Sequence, residues 1–202
     1  AVFLLGCAGY LISMFYRISA TVVGADLASD LGLSPADLGN VSAAFFYVFA
    51  AAQFVVGPAL DRYGPRRVMA LLGAVAVAGA VLFARAESLS VALLARGLLG
   101  LGMAANFMGA LVLVARWFSP VRFATVTGLL AAIGSCGMAL AATPLAWLAE
   151  RLGWRGAFLA IAALNAVELV ILVWAVRDAP GGARALPVSA PTPWRNFGRL
   201  AL

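Results

Sequence analysis

The stretch GPALDRYGPRR, residues 57–67, interrupts a chain that is otherwise poor in charge. It holds one acid, three arginines, two glycines and two prolines, and long apolar runs lie on both sides of it. The pair Gly64-Pro65 predicts a tight turn, because glycine permits backbone angles closed to other residues and proline cannot continue a preceding helix. We therefore interpret this stretch as a short charged loop between two apolar helices.

The composition indicates that the solvent around this chain is lipid. Hydrophobic residues make up 64% of the chain and charged residues 11%, and the mean hydropathy is +1.03. A soluble domain is about 45–50% apolar and about 25% charged. The net charge is +6, but the arginines are scattered between apolar runs, so we expect a membrane protein and no nucleic-acid partner.

The residue types also exclude several kinds of site. The chain has no histidine, which excludes histidine metal sites and histidine proton relays. Cys7 and Cys136 both lie inside apolar runs, and we expect two buried thiols rather than a disulfide or a metal site. Nucleophile elbows and phosphate-binding loops are also missing from the sequence, so we expect neither an enzyme nor a cofactor.

Six runs are long and apolar enough to cross a bilayer, which takes roughly 20 residues each. They cover about 2–26, 36–59, 66–85, 90–114, 122–147 and 154–176. Ser34, Pro35 and Asp37 predict a capped start for the second run. The predicted fold is an all-α membrane protein, with a transmembrane bundle over residues 1–177 and a cytoplasmic linker, rich in proline and glycine, over 178–202.

The distribution of arginine predicts the orientation of the bundle. One set of loops carries Arg62, Arg66, Arg67, Arg116, Arg122, Arg177, Arg184, Arg195 and Arg199. The opposite set carries only Arg85, Arg151 and Arg155, beside several acids. Because basic residues concentrate in cytoplasmic loops, we expect both ends of the chain inside the cell, in a bacterial inner membrane.

The charged loop and three other motifs resemble the major facilitator superfamily of transporters. The loop matches the signature of that family between its second and third helices. Arg96-Gly97-Leu98-Leu99-Gly100-Leu101-Gly102 resembles its fourth-helix motif. Two further matches are Arg116-Trp117-Phe118-Ser119-Pro120 with Arg122, and Gly153-Trp154-Arg155.

The resemblance implies that this chain is one half of a transporter of twelve helices. Each half of that family consists of two inverted three-helix repeats, so helices 1 and 4 are equivalent and line a central cavity. A C-terminal half would be absent, and the chain would be a fragment or would pair with another copy or subunit. In the family, the counterpart of Asp61 latches the inward gate between the halves. Gly57, Asp61, Arg62, Gly64, Arg66 and Arg67 are therefore the predicted gating loop.

The loop residues also suggest local roles of their own. Gly57 would let another helix approach closely. Asp61 would accept hydrogen bonds from a neighbouring helix N-terminus or pair with an arginine. Arg66 and Arg67 would anchor the next helix at the anionic leaflet. The alternative is an ordinary cytoplasmic loop with no gating role.

Arg17 lies inside the first apolar run, where an arginine costs about 2.5–3.5 kcal/mol on insertion scales. A guanidinium suits carboxylate and phosphate, so we predict that Arg17 binds an anionic substrate. The alternative is an ion pair with Glu168 or Asp26. Residues 16–20 and 30–34 also resemble the anion:cation symporter branch of the family, in which an arginine of the first helix binds the substrate anion.

Other polar residues within the spans are candidates for substrate binding or for ion coupling. Glu168 could carry the coupling proton or could make a structural bond. Arg96 has a gating or coupling role by resemblance, or else pairs with an outer acid such as Glu87. The remaining candidates for substrate contact are Tyr10, Gln53, Asn106 and Asn165. Gln53 and Asn106 could instead join helices, and the aromatic residues Phe45, Phe46, Tyr47, Phe49 and Phe107 could line a pocket or simply pack.

The leading hypothesis is a secondary transporter that moves a small organic anion by alternating access, driven by a proton or sodium gradient. A second hypothesis is an efflux antiporter for lipophilic compounds, although Gly128, Gly134, Gly137 and Pro144 only loosely echo the glycine-proline motif of such antiporters. We expect close helix packing at these positions instead. A third hypothesis is a membrane scaffold or sensor that transports nothing.

Overall fold

Seven helices make up the part of the chain that the structure, a computed structural model, describes, which is residues 2–178. They are α1 (Val2–Val22), α2 (Gly24–Leu31), α3 (Pro35–Tyr63), α4 (Pro65–Ala84), α5 (Leu89–Met103), α6 (Asn106–Trp117) and α7 (Pro120–Ala175). Within residues 2–178 there is no strand. The predicted all-α class is therefore confirmed.

Interrupted helices account for the difference between seven elements and six predicted spans. The helices α5 and α6 follow one another through residues 104–105 and together form one apolar span, Leu89–Trp117. Conversely, the 56 residues of α7 are far longer than one bilayer crossing needs, and its backbone is not helical at Gly153 (φ 70°, ψ 164°). Residues 120–152 and 154–175 thus form two crossings, and residues 2–178 contain six in all.

Two predicted helix boundaries are confirmed in atomic detail. The Ser34 side chain accepts from the backbone N–H of Asp37, and the Asp37 carboxylate accepts from the backbone N–H of Ser34, with Pro35 opening α3. At the other end of α3, Gly64 alone separates the helix from α4. Its φ of 85° is a conformation that favours glycine, and it lets the chain reverse within one residue.

The first and fourth spans are both discontinuous. The first span breaks at Val23, where α1 gives way to α2, and the fourth breaks at Ala104 and Ala105. A break frees backbone groups that lipid cannot satisfy, so neighbouring residues must bond them. Gln53 does this for the fourth span, because its side-chain Nε2 donates to the Ala104 carbonyl at 3.2 Å.

Glycines allow the helices of the bundle to approach closely. A Cβ at Gly102 on α5 would lie 2.4 Å from the backbone nitrogen of Ala76 on α4. Gly134 and Gly137 on α7 similarly receive the side chains of Tyr10 and Leu11 from α1. The prediction of close packing is confirmed for these two positions, whereas Gly128 has no neighbour within 4 Å among the described residues.

The outer surface of the bundle is apolar, as lipid requires. Val121, Phe54 and Trp174 are 90%, 86% and 86% exposed, while Phe45, Phe83 and Phe158 are fully buried. Cys7 is buried as predicted, but the prediction is wrong for Cys136, which is exposed. Its neighbours Gly134 and Gly137 face α1, so the intervening Cys136 is turned away from that contact.

We predict that Gly102→Ala destabilises the protein and that Gly97→Ala on the same helix does not. The added methyl group of the first variant meets the α4 backbone, which costs about 1–3 kcal/mol for overpacking. At Gly97 the methyl group would meet only a Val48 side-chain carbon at an ordinary 3.4 Å. In thermal unfolding of the full-length protein in detergent, Gly102→Ala should have a lower Tm than the wild type, and Gly97→Ala should not. Equal melting temperatures would contradict the close approach.

Candidate functional site

Arg96 is completely buried and joins three helices. From α5, its Nη1 donates to the Tyr16 carbonyl at 2.8 Å and to the Ser19 hydroxyl at 3.1 Å, both on α1. Its Nε donates to the Val41 carbonyl of α3 at 3.3 Å, and its guanidinium lies 4.9 Å from the Phe45 ring centre. The predicted alternative, a pair with Glu87, is not found, since Glu87 is exposed at the start of α5.

The contacts of Arg96 on α1 lie within the last two turns of that helix. The Ser19 hydroxyl donates back to the Tyr16 carbonyl at 2.8 Å, and this local bond competes with helix hydrogen bonding. The Tyr16 carbonyl therefore receives two side-chain donors about two turns before α1 ends at Val22. Arg96 thus holds the first and fourth spans together beside a discontinuity.

Arg17 lies on the neighbouring face of α1 and is half-buried. Its guanidinium carbon is 4.9 Å from the ring centre of Phe49 on α3, and its buried Nε has no hydrogen-bond partner among the described residues. The ion pair with Glu168 or Asp26 is not found, because residues 2–178 contain a single ion pair, Arg155 with Asp30. Arg17 therefore has an aromatic neighbour but no acidic one within this bundle.

A second polar cluster surrounds Gly9 of α1. The Asn106 side chain donates to the Gly9 carbonyl at 2.9 Å, directly after the break in the fourth span. A Cβ at Gly9 would lie 3.3 Å from Glu168 Oε1 and 3.5 Å from Asn106 Nδ2, so both side chains occupy the room that the glycine leaves. Asn165 lies one turn before Glu168 on α7, and both residues are buried.

The Arg17 and Glu168 sites are separate. Arg17 lies eight residues beyond Gly9, which corresponds to about 12 Å along α1. Tyr10 and Arg17 share one face of α1, and the Tyr10 ring centre lies 4.9 Å from that of Phe107 on α6. The backbone of Arg17 therefore lies about two helical turns along α1 from the turn that Glu168 contacts.

Several predicted site residues already have helix-joining partners. Gln53 bonds Ala104 and Asn106 bonds Gly9, which matches the alternative role considered for both residues. By contrast, the side-chain nitrogen and oxygen of Asn165 and the Oε1 atom of Glu168 are buried without a hydrogen-bond partner among the described residues. Neither Asn165 nor Glu168 therefore joins α7 to another helix by a hydrogen bond among the described residues.

The charged loop has a partner that the sequence did not indicate. Asp178, just beyond α7, accepts from the backbone N–H of Arg66 at 2.8 Å, and its carboxylate lies against Gly64. Arg66 also donates from its side chain to the Val173 carbonyl. Asp178 thus caps α4, the task expected of Asp61, and no local sequence pattern indicates this contact because 112 residues separate Asp178 from Arg66.

Asp61 itself is exposed, and within residues 2–178 it has neither of the predicted partners. Gly57 has no atom within 4 Å among the described residues, so the predicted close approach of another helix is not made inside this bundle. The two residues lie one turn apart on the same face of α3. This face is free to meet a second domain, and the latch remains a prediction.

Residues at the opposite end of the bundle form a second clamp. Asp30 of α2 accepts from the Trp154 indole at 3.1 Å and pairs with Arg155, which also donates to the Ala86 carbonyl at 2.9 Å. The motif Gly153-Trp154-Arg155 therefore ties three spans together at the kink of α7. It stabilises the framework that holds the polar clusters.

Comparison with known proteins identifies the fold. A family model described as Major Facilitator Superfamily matches residues 5–201. The solved structure of the proton:xylose symporter XylE has a TM-score of 0.78 at 15% identity, over 89% of this chain and 45% of that one. This similarity concerns the fold alone.

Curated relatives are transporters of about twice the length. The chain is 24% identical to the probable sulfoacetate transporter SauU of Cupriavidus necator, over 96% of this chain and 49% of that protein. It is 28% identical to the probable galactarate/D-glucarate transporter GudP of Escherichia coli, over 78% of this chain and 36% of that one. The nitrate/nitrite transporter NrtP of a Picosynechococcus species is 34% identical over 57% of the chain and 22% of its own length. The chain spans about half the length of its curated relatives or less.

We predict that Arg96→Lys lowers the free energy of unfolding by about 1.5–3 kcal/mol, the range for a hydrogen bond to a charged group. A lysine ammonium cannot reproduce the planar fork that reaches Tyr16, Ser19 and Val41. Arg85→Lys is the control, since Arg85 is exposed at the end of α4 and should change stability by less than about 0.5 kcal/mol. Thermal unfolding in detergent measures both variants. An unchanged Tm for Arg96→Lys would show that its three bonds contribute little.

Proposed function

The chain belongs to the Major Facilitator Superfamily, and we propose that the protein it forms part of moves a small organic anion across the membrane by alternating access. The named relatives are transporters. What we propose for this protein is its substrate, its coupling ion and the residues that bind them. An unpaired, half-buried Arg17 inside the first span is the observation that carries the proposal.

The chemistry of Arg17 favours an anion over a neutral substrate. An arginine within the membrane normally has a partner, and the described residues give Arg17 only the face of the Phe49 ring. A ring that packs against the guanidinium leaves its in-plane N–H groups able to bind a carboxylate or sulfonate with two parallel bonds. The substrates in the names of relatives, sulfoacetate, galactarate with D-glucarate, and nitrate, are all anions and support this choice.

Glu168 is our candidate for the group that couples transport to a proton gradient. It is buried beside Gly9, Asn106 and Asn165, and one of its oxygens has no partner in the described chain. A carboxyl group can bind and release one proton as the site opens to each side in turn. Because Glu168 contacts α1 at Gly9, about 12 Å along the helix from the backbone of Arg17, the proton and the anion would have separate binding groups.

Alternating access requires a second six-helix bundle. We propose that residues 1–177 form one bundle, that 178–202 lead to its partner, and that both ends of the chain lie in the cytoplasm of a bacterial cell. The exposed face of α3 with Gly57 and Asp61 would meet the partner bundle when the cytoplasmic side closes. Asp178 would hold the loop and the start of the linker in place during this motion.

We predict that Arg17→Gln slows anion uptake about 10- to 100-fold, because glutamine cannot supply charge-assisted bonds. The full-length transporter would be reconstituted in liposomes and tested with radiolabelled sulfoacetate, D-glucarate and nitrate. Arg85→Gln is the control, since Arg85 is exposed at the outer end of α4 and should leave uptake unchanged. If Arg17→Gln transports as fast as the wild type, or if no anion is taken up, the proposal is wrong.

We also predict that Glu168→Gln abolishes the response to a proton gradient and spares anion exchange. Glutamine keeps the shape and polarity of the side chain but cannot exchange a proton. Uptake by the wild type should accelerate when the outside is made acidic, whereas the variant should show one rate at every gradient. Counterflow between equal anion concentrations should persist in the variant and in an exposed control, Glu150→Gln. Gradient-driven uptake in Glu168→Gln would assign coupling to another group.

A further inference from the structure

An apolar groove runs along the seam between α3 and α4, on the side of the charged loop. Its cavity volume is about 520 Å³, and Leu101 of α5 contributes to its lining. The walls carry Val55, Ala59 and Tyr63 from α3, with Leu71 and Arg67 from α4. Val55 and Leu71 are 68% and 69% exposed, so the groove opens to the surroundings of the bundle.

The groove does not lie on the surface that faces the proposed partner bundle. Residues of an α-helix are about 100° apart, so Gly57 points about 160° away from both Val55 and Ala59, and Asp61 points about 160° away from Ala59. One side of α3 thus presents the latch residues, and the opposite side presents the groove. A partner bundle seated on Asp61 leaves the groove facing lipid.

Two arginines at the mouth of the groove are free to bind an anion. Arg67 lines the groove, and the Arg62 guanidinium lies 5.3 Å from the ring centre of Tyr63, which is itself a lining residue. Both arginines are exposed, and neither has an acidic partner within residues 2–178. Arg66 differs from them because its side chain already donates to the Val173 carbonyl.

We propose that this groove binds one anionic phospholipid, with an acyl chain along α3 and α4 and the phosphate between Arg62 and Arg67. The span from Val55 to Tyr63 is about 12 Å long, which is most of the depth of one leaflet, about 15 Å. The lining is apolar along its length and basic at one end, as a phospholipid requires. The lipid site requires only that the bundle lies in a membrane, whatever substrate it transports. A negative result for the lipid site would therefore leave the proposed function intact, and a failure of the proposed function would leave the lipid site intact.

The test is photolabelling of the full-length transporter in nanodiscs. The discs contain phosphatidylcholine with a small fraction of phosphatidylglycerol that carries a diazirine on its acyl chain. We expect the label on peptides that contain Ala59, Leu71 or Leu101. Replacing Arg62 and Arg67 together by glutamine should reduce that labelling by about fivefold for each arginine, from about 1 kcal/mol per basic residue at an anionic surface.

Three comparisons make the outcome decisive. Arg122→Gln removes an exposed arginine of the same loop set that does not line the groove, and it should change labelling less than about twofold. Ala59→Trp fills the groove with both arginines intact, and it should abolish the label. A diazirine on phosphatidylcholine in place of phosphatidylglycerol should label weakly and without dependence on the arginines.

Each contrary result overturns the lipid site. Absence of label from the groove peptides would mean that protein covers the groove, either the second bundle or another copy. Equal loss of labelling in Arg122→Gln would show general attraction to a basic surface instead of a specific site. Equal labelling by both lipids would remove the role of the phosphate between Arg62 and Arg67.

Discussion

The hydrocarbon core of a bilayer offers no hydrogen-bond partners, and this constraint governs the whole bundle. A helix that breaks within the membrane must have its freed backbone groups satisfied by protein. Both candidate cavity spans of this chain break, at Val23 and at Ala104 with Ala105. Gln53 binds the carbonyl of Ala104 at the second break, whereas Arg96 binds the carbonyl of Tyr16, seven residues before the first. Gln53 and Asn106 are therefore located where the fourth span is interrupted.

The same constraint explains which polar groups are available for function. Arg96, Gln53 and Asn106 are occupied by backbone carbonyls, so their removal should first affect the framework. Arg17 and Glu168 each keep atoms without a partner in the described chain, in a medium where such atoms are costly. We propose that Arg17 serves the anion and Glu168 the coupling ion. On this proposal, the residues that bind substrate and ion differ from those that join the helices, although Arg96 also keeps a buried Nη2 without a partner among the described residues.

Sequence reasoning predicted what depends on local pattern or on strong motifs. The six crossings follow from apolar length, the capping box from Ser34 and Asp37, and the turn from Gly64 with Pro65. Contacts between distant parts of the chain could not be read in this way. Asp178 caps a helix that begins more than 110 residues earlier in the chain. Phe49 is one of many aromatic residues in the sequence, and nothing in the local pattern distinguishes it as the one that packs against Arg17. Arg96 also bonds backbone carbonyls, which leave no side-chain pattern in a sequence.

Protection of a cysteine at position 49 tests the central claim that Arg17 faces the anion site. In a full-length transporter with Cys7 and Cys136 replaced by serine, Phe49→Cys would place a thiol beside the guanidinium. A membrane-impermeant thiol reagent would then be applied with and without a saturating transported anion. We expect the anion to slow labelling several-fold, and to have no such effect once Arg17 is replaced by glutamine. Labelling at the same rate with and without the anion would contradict the placement of the substrate beside Arg17.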